Sequence, residues 1–197
     1  MKKIVITGGL GYIGTELCKI YSGYSWNDKI TVIDNRFVSE RVNQLRNWNI
    51  EFIHGDILDK DLIKKNCFDA DIVHHLAGIT DVPRVKSESN TEHENKIRKV
   101  AEEGTQNILN SINENCKIIM PSTHVVFEGL EDIKKDIKEN EETKPILSYG
   151  KSKDINEKQL KRSGKNFIIL RLGSVYGYST DTARIDIMAN FFSKITS

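Results

Sequence analysis

Ile4-Val5-Ile6-Thr7-Gly8-Gly9-Leu10-Gly11-Tyr12-Ile13-Gly14 decides how this chain is read. The apolar run fits a buried parallel strand, and glycines at 8, 11 and 14 stand where such a strand turns into a helix. That turn needs a residue tolerant of positive φ, a backbone that lets a pyrophosphate approach, and a close helix–strand contact. The helix start then offers unpaired N–H groups and a positive dipole end to phosphates. Glycines also mark ordinary turns, so the pattern alone leaves a phosphate cradle and a plain turn both open.

Outward from this segment, short apolar runs alternate with longer amphipathic ones, the pattern of repeated βαβ units. Strands are expected at 3–7, 29–33, 50–54, 71–75, 116–120 and 166–171, and helices near 12–22, 39–47, 59–66, 92–114 and 147–163. Right-handed crossovers stack these into an α/β fold, a doubly wound parallel sheet of Rossmann type flanked by helices. The expected division is a dinucleotide-binding domain over residues 1–176 and the start of a further region over 177–197. Glu131 to Lys144 mixes Lys, Glu and Asp with little apolar content and reads as a solvated surface loop.

Composition narrows the function. A chain of 197 residues suffices for a sizeable core. Lys+Arg 29 against Asp+Glu 28 gives a formal charge of +1, which supports neither a nucleic-acid partner nor a membrane surface. The first apolar run is too short for a signal peptide or a membrane span. Cys18, Cys67 and Cys116 are odd in number and widely spaced. They read as reduced core thiols of a cytoplasmic protein, with no disulfide framework and no metal site.

Chemistry-bearing residues fall where parallel strands end, which is where such a sheet opens its ligand crevice. Asp34 ends the second strand, twenty residues beyond Gly14. A carboxylate there accepts hydrogen bonds from the adenosine ribose and repels a 2′-phosphate, selecting NAD over NADP. The plainer reading is that Asp34-Asn35 forms a turn after a strand. Arg36 complicates the selection, because it can meet a 2′-phosphate if Asp34 swings aside. Asp56-Ile57 after the third strand, and Leu76-Ala77-Gly78 after the fourth, reach the same crevice. An Asp there can bond an adenine amino group, and small residues let the cofactor lie close.

Tyr149-Gly150-Lys151-Ser152-Lys153 carries the strongest catalytic signal. Tyr149 and Lys153, at i and i+4, share one helix face. A free phenol titrates near pH 10, so serving as a base near neutrality requires its anion to be favoured by roughly 4 kcal/mol. A lysine ammonium and a positively charged nicotinamide both favour phenolate. Without the dinucleotide fold the same spacing is a surface coincidence. Pro121-Ser122-Thr123, after the fifth strand, brings hydroxyls to the crevice, either to hold a substrate oxygen or to cap a turn.

In order along the chain these motifs resemble the extended short-chain dehydrogenase/reductases, the NAD-dependent sugar-nucleotide epimerase/dehydratase family. The resemblance runs through the glycine loop (Gly8, Gly11, Tyr12, Ile13, Gly14), then Asp34 with Asn35, Gly55-Asp56-Ile57 and His75-Leu76-Ala77-Gly78. It continues through Ser122-Thr123, Tyr149 with Lys153, and Arg171-Leu172-Gly173-Ser174-Val175-Tyr176-Gly177. It implies NAD as cofactor and a nucleotide sugar as substrate. Tyr149 is then the acid or base, Lys153 its activator and a ribose ligand, and Thr123 the partner of a substrate hydroxyl. The implied reaction removes a proton from a sugar hydroxyl while hydride passes from the same carbon to NAD; an epimerase then returns the hydride to the other face.

Departures from the family pattern point to the substrate side. Dehydratases of this family carry Asp-Glu after the catalytic Thr, and His124-Val125 stands there, which disfavours water elimination. Ala101 replaces a usual Asn before Gly104-Thr105, Ser174 a usual Asn, and Tyr178 a usual Pro. The chain stops twenty residues past Gly177, where the family places most of its sugar-nucleotide domain. Residues 184–195, with Ile185, Met188, Phe191 and Phe192 at helical spacing, read as the first helix of that portion. A cofactor domain that binds NAD but turns over poorly or not at all is therefore expected, and the competing reading is a non-catalytic NAD-binding protein. The helices at 92–114 and 147–163 correspond to those that pair subunits in relatives, so a homodimer is expected through them unless their apolar positions face the sheet.

Overall fold

The computed structural model describes residues 1–24, 27–80, 90–131, 136–177 and 179. Six parallel strands form one sheet in the order β3-β2-β1-β4-β5-β6: β1 (Lys3–Thr7), β2 (Lys29–Asp34), β3 (Glu51–His54), β4 (Ile72–His75), β5 (Lys117–Thr123) and β6 (Asn166–Leu172). The chain leaves β1 toward β2 and β3, then returns to lay β4 on the other side of β1. The order reverses between β1 and β4, and a crevice opens there at the carboxyl ends.

Helices cover the sheet on both sides. On one, α1 (Tyr12–Gly23) and α2 (Ser39–Asn47) bring Cys18, Val42 and Leu45 onto Ile4, Ile6, Ile30 and Val32. On the other, α3 (Lys60–Cys67), α5 (Thr105–Ser111) and α6 (Ser148–Arg162) bring Ile63, Ile108 and Leu160 onto Val5, Ile33, Val73, Ile118 and Met120. Ile4, Val5 and Ile6 are fully buried, because successive residues of β1 face two covered surfaces. Asp59 starts α3 by accepting from the backbone N–H groups of Asp61 and Leu62.

The strands lie within a few residues of the expected bounds, and two elements differ instructively. The helix expected over 92–114 is α4 (Thr91–Lys99), a π turn (Val100–Gly104) and α5. Side-chain amides from α6 enter its ladder there: Asn156 Nδ2 donates to the carbonyl of Ala101 at 2.8 Å and Gln159 Nε2 to that of Glu102 at 2.8 Å. The helix stops at Ser111, after which Asn113 accepts from the N–H groups of Asn115 and Cys116 and turns the chain into β5. β5 continues to Thr123, beyond the expected Met120. It pairs with β4 only over Lys117–Ile119, so Pro121 sits where that side of the strand has parted from its neighbour and no N–H is needed.

Of the apolar positions of α4, α5 and α6, Ile108, Leu109 and Leu160 pack into the core against the sheet, Ile97 is buried, and Tyr149 and Ile155 are half-buried. Cys18, Cys67 and Cys116 are free and buried. Asp136–Asn140 of the charged stretch are exposed, and Lys144 closes it through backbone bonds to Val126 and Gly129. No helix among the described residues is long and apolar enough to cross a membrane. The helix expected over 184–195 lies outside the described residues.

Candidate active site

Gly8 has φ +71°, and a Cβ built on it would stand 2.7 Å from the backbone N of Ala77. A Cβ on Gly14 would meet the carbonyl oxygen of Gly8 and the Cα of Gly9 at 2.6 Å each, so only glycine lets α1 approach the loop this closely. Gly11 is the N-cap of α1, makes no side-chain cap bond, and is followed by no acidic residue in the first turn. The positive end of the helix thus faces the crevice with no acidic side chain in its own first turn. Arg41 of α2 donates to the carbonyl of Leu10 and holds the loop from behind.

Asp34 is 5% exposed at the end of β2. One carboxylate oxygen accepts from the Leu10 N–H at 3.0 Å and the other from the Arg36 N–H at 3.0 Å. Asn35 Nδ2 donates to Asp56 at 3.0 Å, joining the ends of β2 and β3, and Asp56 also caps the N–H of Leu58. Tyr12 Oη donates to the carbonyl of Gly177, tying the loop to the chain beyond β6.

A cleft of about 1260 Å³ gathers Gly8, Gly11, Tyr12, Ile13, Gly14, Asp34, Asn35, Asp56, Ile57, Leu76, Ala77, Gly78, Thr123, Tyr149 and Lys153. Every residue expected at the site therefore lines one cavity. Lys153 Nζ lies 5.9 Å from the centre of the Tyr149 ring and 3.8 Å from the Cβ position of Gly78. Lys153 is only 6% exposed, and burial draws its ammonium down to about 8. It can therefore exchange a proton near neutral pH.

The two hydroxyls after β5 are not equivalent. Ser122 lines the cleft, but its Oγ donates to Glu157 at 2.6 Å, so its proton is engaged by α6. Thr123 Oγ1 accepts from the N–H of Val125 at 3.3 Å and caps a 3-10 turn (His124–Phe127), leaving its own O–H to donate. His124 lines the cleft with Nδ1 3.3 Å from the carbonyl of Leu172.

Two buried networks were not foreseen. His75 is held by Thr7 Oγ1 and Thr105 Oγ1, each at 2.9 Å from a ring nitrogen, and Asn156 donates to Thr105 Oγ1 at 2.9 Å. One run of donors satisfies it: Asn156 to Thr105, Thr105 to Nε2, and Nδ1–H to Thr7. The imidazole in it is neutral; burial, then the charge of Lys153, pushes it down to about 3. In the second, Glu157 takes both Nε and Nη2 of Arg171 and the hydroxyl of Ser122, locking β5, β6 and α6 together. Asn156 and Glu157 stand three and four residues beyond Lys153, so polar side chains on the inward stripe of α6 were the available signal.

A doubly wound sheet, a glycine turn under a bare helix end, and Tyr149 with Lys153 on the helix across the crevice define an extended short-chain dehydrogenase/reductase. The 3-beta hydroxysteroid dehydrogenase/isomerase family matches residues 5–182, and the chain belongs to it. Among curated relatives, a dTDP-D-glucose 4,6-dehydratase of Dictyostelium discoideum is 32% identical over 90% of this chain and 44% of its own length. A putative UDP-glucose 4-epimerase of Methanocaldococcus jannaschii is 29% identical over 90% of this chain and 57% of its own. The Bordetella bronchiseptica enzyme WbmH, solved in complex with NAD+, is 25% identical with a TM-score of 0.78, covering 100% of this chain and 62% of that one. The chain thus spans about half the length of the curated relatives it matches.

Proposed function

We propose that the cleft binds NAD and that the chain carries the cofactor half of a sugar-nucleotide epimerase or related oxidoreductase. The observation that carries this reading is the meeting of Tyr149 and Lys153 with the glycine loop and Asp34 in one cavity. The fit to a dinucleotide rests on the chain's own surfaces. A pyrophosphate finds backbone without side chains at Gly8 and Gly11 and a helix end with no acidic residue in its first turn. Asp34 and Asp56 both line the cleft, Asp34 as the carboxylate for a ribose and Asp56 as an acceptor for an adenine amino group. When bound, NAD supplies the acceptor for a hydride.

Tyr149 takes the proton of the sugar hydroxyl whose carbon is oxidised, and later returns it. Lys153 favours the phenolate by its charge and can pass on a proton, since burial has brought it down to about 8. Thr123 donates to the substrate oxygen and orients it. Between the chemistries named among the relatives, epimerisation is favoured over dehydration, because His124 and Val125 put no carboxylate beside Thr123. The reaction is redox-neutral overall.

The substrate reading is a nucleotide sugar, and the buried free thiols accord with a cytoplasmic setting. A homodimer through residues 92–114 and 147–163 would use their outer faces, where Ile155 is half-buried among polar side chains. Light scattering that gives a monomer at all concentrations would remove it. The test of function is Tyr149→Phe in the complete natural protein, with nucleotide sugars screened by reduced-nicotinamide absorbance. Loss of about a hundredfold or more in rate is expected for a removed acid–base group. A rate within a few-fold of wild type would refute the assignment.

A further inference from the structure

Asp34 already has its acceptor positions filled. Besides the two backbone N–H groups, Arg36 Nε approaches one oxygen at 3.3 Å and Nη2 the other at 3.4 Å. A carboxylate offers about four lone-pair sites. Two backbone and two guanidinium donors therefore occupy the positions that ribose hydroxyls would use. The backbone donors are fixed by the loop and by the turn after β2. The guanidinium is free to leave: the Arg36 side chain is 55% exposed, against 4% for that of Asp34. It also lies over the glycine loop, with Nη2 3.6 Å from the Cβ position of Gly11. That places it at the mouth of the cradle, on the ribose side.

We infer that Arg36 competes with the adenosine ribose for Asp34, and so narrows the preference of the site for NAD over NADP. The inference rests on the dinucleotide reading above. To bond both ribose hydroxyls, NAD must displace the guanidinium. A 2′-phosphate need not do so, because a guanidinium has five N–H donors and can hold Asp34 with one edge and a phosphate with another. The same arginine thus opposes the unphosphorylated ribose and screens the phosphorylated one from the carboxylate. A bare Asp would select NAD sharply; Asp34 with Arg36 selects it weakly.

The experiment is calorimetric titration of the chain with NAD and with NADP, for wild type, Arg36→Met and Arg36→Lys. Methionine keeps an unbranched stem without the charge, and the exposed position leaves folding intact, which circular dichroism checks. Wild type should prefer NAD by no more than about tenfold. Arg36→Met should bind NAD up to about fivefold tighter, as expected for release from a partly exposed ion pair. It should bind NADP about tenfold or more weaker, as expected for a lost charge-assisted bond. Arg36→Lys, which keeps charge without the fork, should fall between. Higher salt should weaken NADP more than NAD in wild type, and equally in Arg36→Met. A wild-type preference above about a hundredfold that Arg36→Met leaves unchanged would overturn the inference while sparing the dinucleotide reading. Failure of every protein to bind either nucleotide would overturn both.

Discussion

Replacing Glu157 by Gln should cost more stability than any surface change in this protein. The carboxylate is 1% exposed and accepts from Ser122 Oγ at 2.6 Å, Arg171 Nε at 2.9 Å and Nη2 at 2.7 Å, and Lys161 Nζ at 3.3 Å. Gln preserves the volume, removes the charge, and turns an N–H donor toward a guanidinium. Stranding one member of a buried pair costs about 3–5 kcal/mol. The Arg171 side chain is 15% exposed, so water recovers part of this and the lower end applies. At about 2–4 °C per kcal/mol for a chain of this size, Tm should drop by roughly 6–12 °C.

Urea unfolding should give the same loss, and a cycle with Glu157→Met and Arg171→Met should show strong coupling. The double variant should be more stable than the sum of the singles predicts, because it leaves no charge unpaired. Acid should reveal the same contact. Burial pushes the Glu157 carboxyl up, but Arg171, Ser122 and Lys161 outweigh it and hold it below the usual carboxylate range. Its contribution is therefore present above about pH 4.3 and lost as pH falls through the folded value, and Glu157→Gln should lack that part of the acid transition. A Gln variant within about 1 kcal/mol of wild type, or additive Met variants, would refute the reasoning.

Other consequences follow from burial. His74 and His75 are pushed down to about 4 and about 3, so the unfolded chain binds more protons as pH falls below the ordinary histidine range. Stability should decline by up to about 1.4 kcal/mol per pH unit for each group once below about pH 6.5, read as the urea midpoint against pH. A flat profile between neutrality and pH 5 would contradict their burial as neutral rings. Gly14→Ala should destabilise by about 1–3 kcal/mol or more, since its Cβ meets backbone. Gly23→Ala, with no atom of the described residues within 4 Å at the end of α1, should instead gain about 0.5–1 kcal/mol in thermal or chemical unfolding. Burial pushes the thiols of Cys18 and Cys67 up to about 12 and that of Cys116 up to about 11. An aromatic disulfide reagent should label none in the folded protein within minutes and all three after unfolding.

Much of this was legible from local pattern. Period, run length and glycine spacing mark where strands end, and in a parallel sheet strand ends are where ligands go; the glycine loop, Asp34 and Asp56 follow from that geometry, and Tyr149 with Lys153 from i, i+4 spacing on one helix face. The π turn at Val100–Gly104 was not legible, because it depends on Asn156 and Gln159 reaching across from α6, some fifty residues later. The same holds for Ser122, whose hydroxyl looks available in the sequence and is taken by Glu157. Arg36 was visible beside Asp34, but only the structure shows its guanidinium on both oxygens of the carboxylate. Long-range side-chain bonds leave no period in a sequence.

The central claim is that the cleft at the carboxyl ends of the strands is a dinucleotide site. Calorimetric titration of this chain with NAD, beside a Gly14→Val variant shown by circular dichroism to retain its helices, tests it most directly. Saturable one-to-one binding by the wild type that the valine abolishes is the expected result. No heat with the wild type, or equal affinity in both, would contradict it.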